Sequence, residues 1–157
     1  YFINDITGYR LNVVDSACGS RFYNFEKTKD GGTTWTEVNG DPFDQNMGVG
    51  EGLLFFTNDF GFAGLTYASE DFSMLYVTKD GGETFERLEL PLDTVTELPS
   101  EAAELGFTIE DYDYHTMPQI VDGKMEIYLQ TDAMEQQGII FQSEDNGVTW
   151  EYAGCKE

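Results

Sequence analysis

Short runs rich in β-branched and aromatic residues recur along the chain, each bounded by glycine, asparagine or aspartate. Residues 21–27, 73–77 and 138–142 read as strands, and each leads through a tight turn into a shorter run, 36–38, 86–88 and 151–153. Upstream, residues 2–9 resemble 56–62, each a strand, a turn and a second strand. The third unit supplies residues 117–121, a turn at Asp122-Gly123, and residues 125–129. The pattern predicts one all-β module of three four-stranded antiparallel units, at about 1–40, 53–90 and 115–154. Between the last two, about 91–114, residues 100–106 predict a Ser-capped helical turn ended by glycine, the one helix-like piece.

The turns repeat in detail. Thr28-Lys29-Asp30-Gly31-Gly32-Thr33-Thr34-Trp35, Thr78-Lys79-Asp80-Gly81-Gly82-Glu83-Thr84-Phe85 and Ser143-Glu144-Asp145-Asn146-Gly147-Val148-Thr149-Trp150 align without gaps. The shared pattern is Ser/Thr-x-Asp-x-Gly-x-Thr-Trp/Phe. Glycine or asparagine supplies the positive φ of a tight hairpin, and the aspartate accepts hydrogen bonds from its own turn. The hydroxyls two residues before and four after clamp the same loop, and the aromatic residue opens the outgoing strand. Asp30 and Asp80 lie 50 residues apart, Asp80 and Asp145 lie 65 apart, so the second interval carries an insertion.

Charge narrows the partners. Thirty acidic and eight basic residues give a formal charge of −22 over 157 residues. Eight scattered cations build no basic stripe for nucleic acid, and an anionic membrane surface repels such a chain. No apolar run approaches the ~20 residues of a membrane span. The acidity fits an extracellular or cell-envelope setting. The chain opens at Tyr1 with no basic or apolar leader, which reads as a processed or trimmed product whose targeting signal lies elsewhere. Cys18 and Cys155 either bridge the two ends or stand as free thiols.

These octets resemble Asp-boxes, or BNR repeats, found in sialidases, sortilin-type receptors, photosystem II assembly factors and secreted bacterial proteins. The resemblance implies β-propeller blades, each octet forming the hairpin between a blade's third and fourth strands, at the periphery. It makes Thr28, Asp30, Gly32, Thr34 and Trp35 structural, with Thr78, Asp80, Gly82, Thr84, Phe85, Ser143, Asp145, Gly147, Thr149 and Trp150 in the same roles. The aromatic residues are expected to pack against neighbouring strands. Propellers close with four to eight blades, and here there are three. A homodimer completing a six-bladed ring, a longer chain carrying further blades, and three open blades with polar end faces all satisfy the count.

A sialidase site, by the same resemblance, needs an arginine triad, a Tyr/Glu nucleophile pair and an aspartic acid; the arginines are Arg10, Arg21 and Arg87, and no Arg-Ile-Pro signature is present. Asp111-Tyr112-Asp113-Tyr114-His115, if extended, puts Asp111, Asp113 and His115 on one face for a metal, with Tyr112 and Tyr114 on the other to stack on a ligand. Of these, Tyr112, Tyr114 and His115 are the candidate ligand-binding residues, and a solvated loop is the plainer alternative. Calcium could sit at residues 41–44 or at Glu70-Asp71, without EF-hand spacing; otherwise no cofactor or metal is expected. The glycines of residues 48–52 make a connector between units rather than a nucleotide loop. The expectation is a non-catalytic propeller module presenting a glycan- or protein-binding surface, with a partial sialidase-like glycosidase as the alternative.

Overall fold

The computed structural model describes residues 1–67, 72–131 and 137–156. Its strands form three antiparallel sheets within two compact units, Tyr1–Glu70 with Met74–Leu88 and Asp71–Ser73 with Glu89–Glu157. No helix among the described residues is long and apolar enough to cross a membrane.

In the first unit, β1 (Gly8–Ala17), β2 (Ser20–Thr28) and β3 (Thr36–Asn39) pair in chain order. The next sheet, β4 (Val49–Phe55), β5 (Gly61–Thr66), β6 (Ser73–Thr78) and β7 (Glu86–Arg87), follows the same rule and has the expected four strands. The first sheet has three. Ahead of β1 the chain reaches only two rungs: Phe2 bridges Gly8, and the Tyr9 N–H donates to the Tyr1 carbonyl at 2.8 Å. Asn4 then turns the chain, its Oδ1 accepting the N–H groups of Ile6 and Thr7. Phe2 therefore corresponds to Phe55 rather than Phe56, since Phe55 faces Gly61 as Phe2 faces Gly8. A Cβ on either glycine would lie 2.7 Å or 2.6 Å from the facing ring, which explains why both positions lack a side chain.

Aromatic packing joins these two sheets. The Tyr9 ring stacks on Phe55 with centroids 3.8 Å apart, and Phe25 lies against both Tyr9 and Phe55. Ile3, Leu11, Val38, Leu53 and Phe85 close around them. Tyr9 adds a hydrogen bond from its hydroxyl to the Asn58 carbonyl at 2.9 Å. β5 and β6 are buried along their whole length, as expected of strands covered on both faces. The opposite face of the first sheet is polar: Arg10 Nε meets Glu26 Oε2 at 2.6 Å, Asn24 bonds Glu37, and the Arg10 guanidinium lies over Trp35.

In the second unit, β10 (Lys124–Gln130), β11 (Gly138–Ser143) and β12 (Glu151–Lys156) form a meander. The single strand expected at 117–121 is instead two, β8 (Tyr114–His115) and β9 (Gln119–Val121), both on β10. Pro118 has no N–H for the ladder, and Thr116 spans the break by giving its N–H to the Tyr128 carbonyl and accepting the Tyr128 N–H on its hydroxyl. Five strands thus occupy four positions. Met125, Ile127, Leu129, Ile139 and Phe141 are buried on one face.

The insertion holds helix α1 (Ser100–Leu105), ended by Gly106 in the left-handed region at φ 86°. Ser100 is its first residue and not its cap; Pro99 precedes it, without a side-chain capping bond. Two 3-10 turns, Leu92–Thr94 and Ile109–Asp111, make this segment more helical than the sequence suggested. Both cysteines are free thiols, so the Cys18–Cys155 bridge is absent: Cys18 is exposed at the tip of the β1–β2 hairpin, and Cys155 lies 3.2 Å from the Glu97 carbonyl.

Candidate functional site

The three octets share one hydrogen-bond network. Thr28, Thr78 and Ser143 each donate a hydroxyl to Oδ1 of Asp30, Asp80 or Asp145 at 2.8 Å. The same hydroxyl oxygens accept the N–H of Gly32, Gly82 and Gly147. Thr34, Thr84 and Thr149 bring their N–H to Oδ1 and their hydroxyl to Oδ2 of the same aspartates. Two consecutive positive φ values make each bend: 71° and 86° at Gly31 and Gly32, 77° and 94° at Gly81 and Gly82, 60° and 82° at Asn146 and Gly147. Asparagine is the non-glycine residue that tolerates this region best, so the third copy keeps the geometry.

The network fixes ionisation. Hydrogen bonds from Thr34, with Thr28 behind them, hold Asp30 at about 2, and Thr149 and Ser143 do the same for Asp145, also at about 2. At Asp80 burial works against the charge, yet the bonds from Thr84 and Thr78 outweigh it and the pKa is lowered. A carboxyl group that stays ionised down to such acidity, with its lone pairs already occupied, is poorly suited to protonate a leaving group at neutral pH.

The aromatic positions differ. Trp35 donates Nε1 to the Gly32 carbonyl at 3.1 Å and stands edge-on to Phe2. Phe85 meets Phe25 of the first sheet edge-on at 5.1 Å. Trp150 is buried in the second unit. Between the first two octets runs a groove of about 440 Å³ lined by Lys27, Lys29, Asp30, Asp59, Asp80 and Glu83; Lys27 Nζ sits 5.1 Å from the Tyr9 ring centre.

Compared with known proteins, the chain matches no protein-family model and no curated sequence.

The cluster at residues 111–115 does not form the extended ligand face. Residues 109–111 are a 3-10 turn in which the Asp111 carboxylate accepts the Thr108 N–H and hydroxyl. Tyr112 is 1% exposed and cannot stack on a ligand. Tyr114 and His115 are half-buried on β8, where Ser73 Oγ donates to the His115 carbonyl and accepts its N–H. Among the described residues no group of three His, Cys, Asp or Glu side chains could hold a metal ion. At residues 41–44 the Asp41 carboxylate is taken by the Gln45 N–H at 2.9 Å; the Glu70-Asp71 alternative lies outside the described residues.

One cluster escaped the sequence reading. On the polar face of the third sheet, Glu126 is 5% exposed and accepts the Tyr128 hydroxyl at 2.7 Å and the Gln142 amide at 2.5 Å. The neighbouring carboxylate raises the Tyr128 pKa, with burial adding to it. Alternation along β10 puts Glu126 and Tyr128 on one face, which was readable; the cross-strand register that adds Gln142 opposite Glu126 was not. The arginines do not gather: Arg10 pairs with Glu26, and Arg21 faces Ser16, six residues along β1 and so about 20 Å away.

Proposed function

We propose that this chain is a non-catalytic module of Asp-box β-propeller type, three blades presenting a binding or scaffold surface to a glycan or protein ligand outside the cell or in its envelope. The observation that carries the reading is the threefold recurrence of one closed network, in which Asp30, Asp80 and Asp145 are each occupied by their own turn. Carboxylates committed in this way hold shape. The acidity supports the location, since strong net charge keeps a protein dispersed in solution.

The contact between Glu126 and Tyr128 favours a second reading, a partial sialidase-like glycosidase, because a Tyr/Glu pair is part of that chemistry. Against it, the arginines do not form a triad: Arg10 is paired with Glu26, and Arg21 faces Ser16, about 20 Å along β1 from Arg10. Bidentate guanidinium contacts are what grip a sugar carboxylate. A fluorogenic sialoside and a panel of aryl glycosides separate the readings: the module turns over none of them, and saturable turnover abolished by Glu126→Gln would replace it with the enzyme.

A further inference from the structure

The groove between the first two octets has walls of opposite charge. Lys27 and Lys29 line it from β2 and the first octet, with Asp30 beside them, whereas Asp59, Asp80 and Glu83 line it from turns of the second sheet. Asp30 and Asp80 are committed, each carboxylate accepting three hydrogen bonds from its own octet. That leaves the exposed Asp59 and Glu83 to face the lysines. Among the described residues no ion pair crosses the groove. The two signs meet instead at Gly81, where a Cβ would lie 3.7 Å from Lys27 Nζ and 3.6 Å from Asp59 Oδ1. A φ of 77° disfavours any side chain there, so the space stays open.

The walls are fixed in place. Lys27 Nζ sits 5.1 Å from the centre of the Tyr9 ring, a cation–π contact that holds the ammonium. The Gly81 N–H donates to the Asp59 carbonyl at 2.8 Å and ties the octet to the β4–β5 turn. Asn39 of β3 donates its side-chain amide to the Glu83 carbonyl at 3.1 Å, which joins one wall to the other.

We infer that this groove binds a free α-amino acid as its zwitterion, with the carboxylate on Lys27 and Lys29 and the ammonium on Asp59 and Glu83. A simple anion would gain the two lysines but face three carboxylates opposite, and a simple cation would meet two ammonium groups. A molecule with both charges pairs with both walls at once, through charge-assisted hydrogen bonds, which are the strong ones. The volume of about 440 Å³ lies in the range of small-ligand clefts. Thr36 and Val38 also line it, adding a hydroxyl and an apolar surface for an aliphatic side chain. The inference goes beyond the binding-module reading and needs neither a glycan nor a protein ligand.

The test is a ligand-observed NMR titration of the full chain with L-valine and two half-ligands of its shape. One, 3-methylbutanoate, lacks the ammonium; the other, 2-methylpropylamine, lacks the carboxylate. Valine should bind saturably and about tenfold or more tightly than either. Lys27→Met should bring valine and the amine to within about threefold of each other, and Asp59→Asn should do the same for valine and the butanoate. Because Lys27 packs on Tyr9, the exposed Lys29 provides a second variant, Lys29→Met, expected to narrow the first ratio with circular dichroism unchanged. Each ratio is read within one variant, so a general loss of stability does not imitate it. The inference is overturned if valine fails to bind, if either half-ligand binds as tightly, or if the three substitutions leave the ratios as they were. Glycoside turnover, which decides the module, has no bearing on this result.

Discussion

Gly82 and Gly32 occupy the same position of two octets, which permits a matched pair of substitutions. Both lie at positive φ, 94° and 86°, so an alanine at either is strained by about 1–2 kcal/mol. Their surroundings differ. A Cβ on Gly82 would fall 2.0 Å from Phe25 Cε1 and 2.5 Å from Cδ1, whereas a Cβ on Gly32 would meet nothing nearer than Phe2 Cζ at 3.4 Å. Carbon atoms rest about 3.5–4.0 Å apart, so only the first substitution overlaps. Phe25 has no room to retreat, being fully buried among Tyr9, Phe55 and Phe85. Overpacking of that kind adds about 1–3 kcal/mol. Gly32→Ala should therefore lose about 1–2 kcal/mol and Gly82→Ala about 2–5 kcal/mol. Urea unfolding followed by aromatic fluorescence, with unchanged slope m, reads the difference. Equal losses would refute the packing of the second turn on the first sheet.

Other outcomes follow from the same geometry. Asp80→Ala leaves the Thr84 N–H and the hydroxyls of Thr84 and Thr78 without their acceptor, and should cost about 1–3 kcal/mol in urea unfolding; an unaltered midpoint would mean that the carboxylate does not hold the turn. Asp30 and Asp145 have folded pKa values depressed to about 2 from the usual 3.8, so their stabilisation is complete above that ordinary value and fades as pH falls towards 2. Thr34→Val with Thr149→Val should flatten this acid loss, and a profile as steep as the parent's would contradict the assignment. A thiol reagent should titrate two cysteines without prior reduction, the exposed Cys18 faster than the half-buried Cys155; thiols appearing only after reduction would contradict the free state.

The turns were legible because their chemistry is local: the aspartate, its two hydroxyl partners and the positive-φ residues all lie within seven positions of one another. Strand edges were less so. Phe55 and Phe56 are adjacent phenylalanines, and only pairing with Gly61 decides which of them corresponds to Phe2. The sequence reading ran one strand through Pro118, and that β8 and β9 both return to β10 depends on tertiary pairing. The cluster at residues 111–115 failed for a similar reason. Alternation assumes an extended chain, and the Thr108–Asp111 capping box makes a 3-10 turn there instead, turning Tyr112 inward. Glu126 was invisible as a site because its partner Gln142 comes from the neighbouring strand, and thirty acids dilute any single one.

The polar faces of the first and third sheets bear on whether two copies complete a ring. Mating sheets face to face removes apolar area from water, and a polar face gains little by it. On the first sheet, the face turned away from β4 carries the Arg10–Glu26 pair, the Asn24–Glu37 bond and a tryptophan already under a guanidinium. On the third, Lys124 and Glu144 pair at 2.6 Å, Tyr128 and Gln142 are spent on Glu126, and Lys156 Nζ lies 5.7 Å from the Tyr128 ring. Apart from the buried Asn24 Oδ1, these groups have partners where they stand, and desolvating them would need replacement contacts of equal quality. Each copy also brings a formal −22, a repulsion that low salt leaves unscreened. Light scattering in low-salt buffer should accordingly give a mass near 17.7 kDa. A mass of twice that value, persisting on dilution, would show that polar faces do mate, and would return the two-copy ring as the working arrangement.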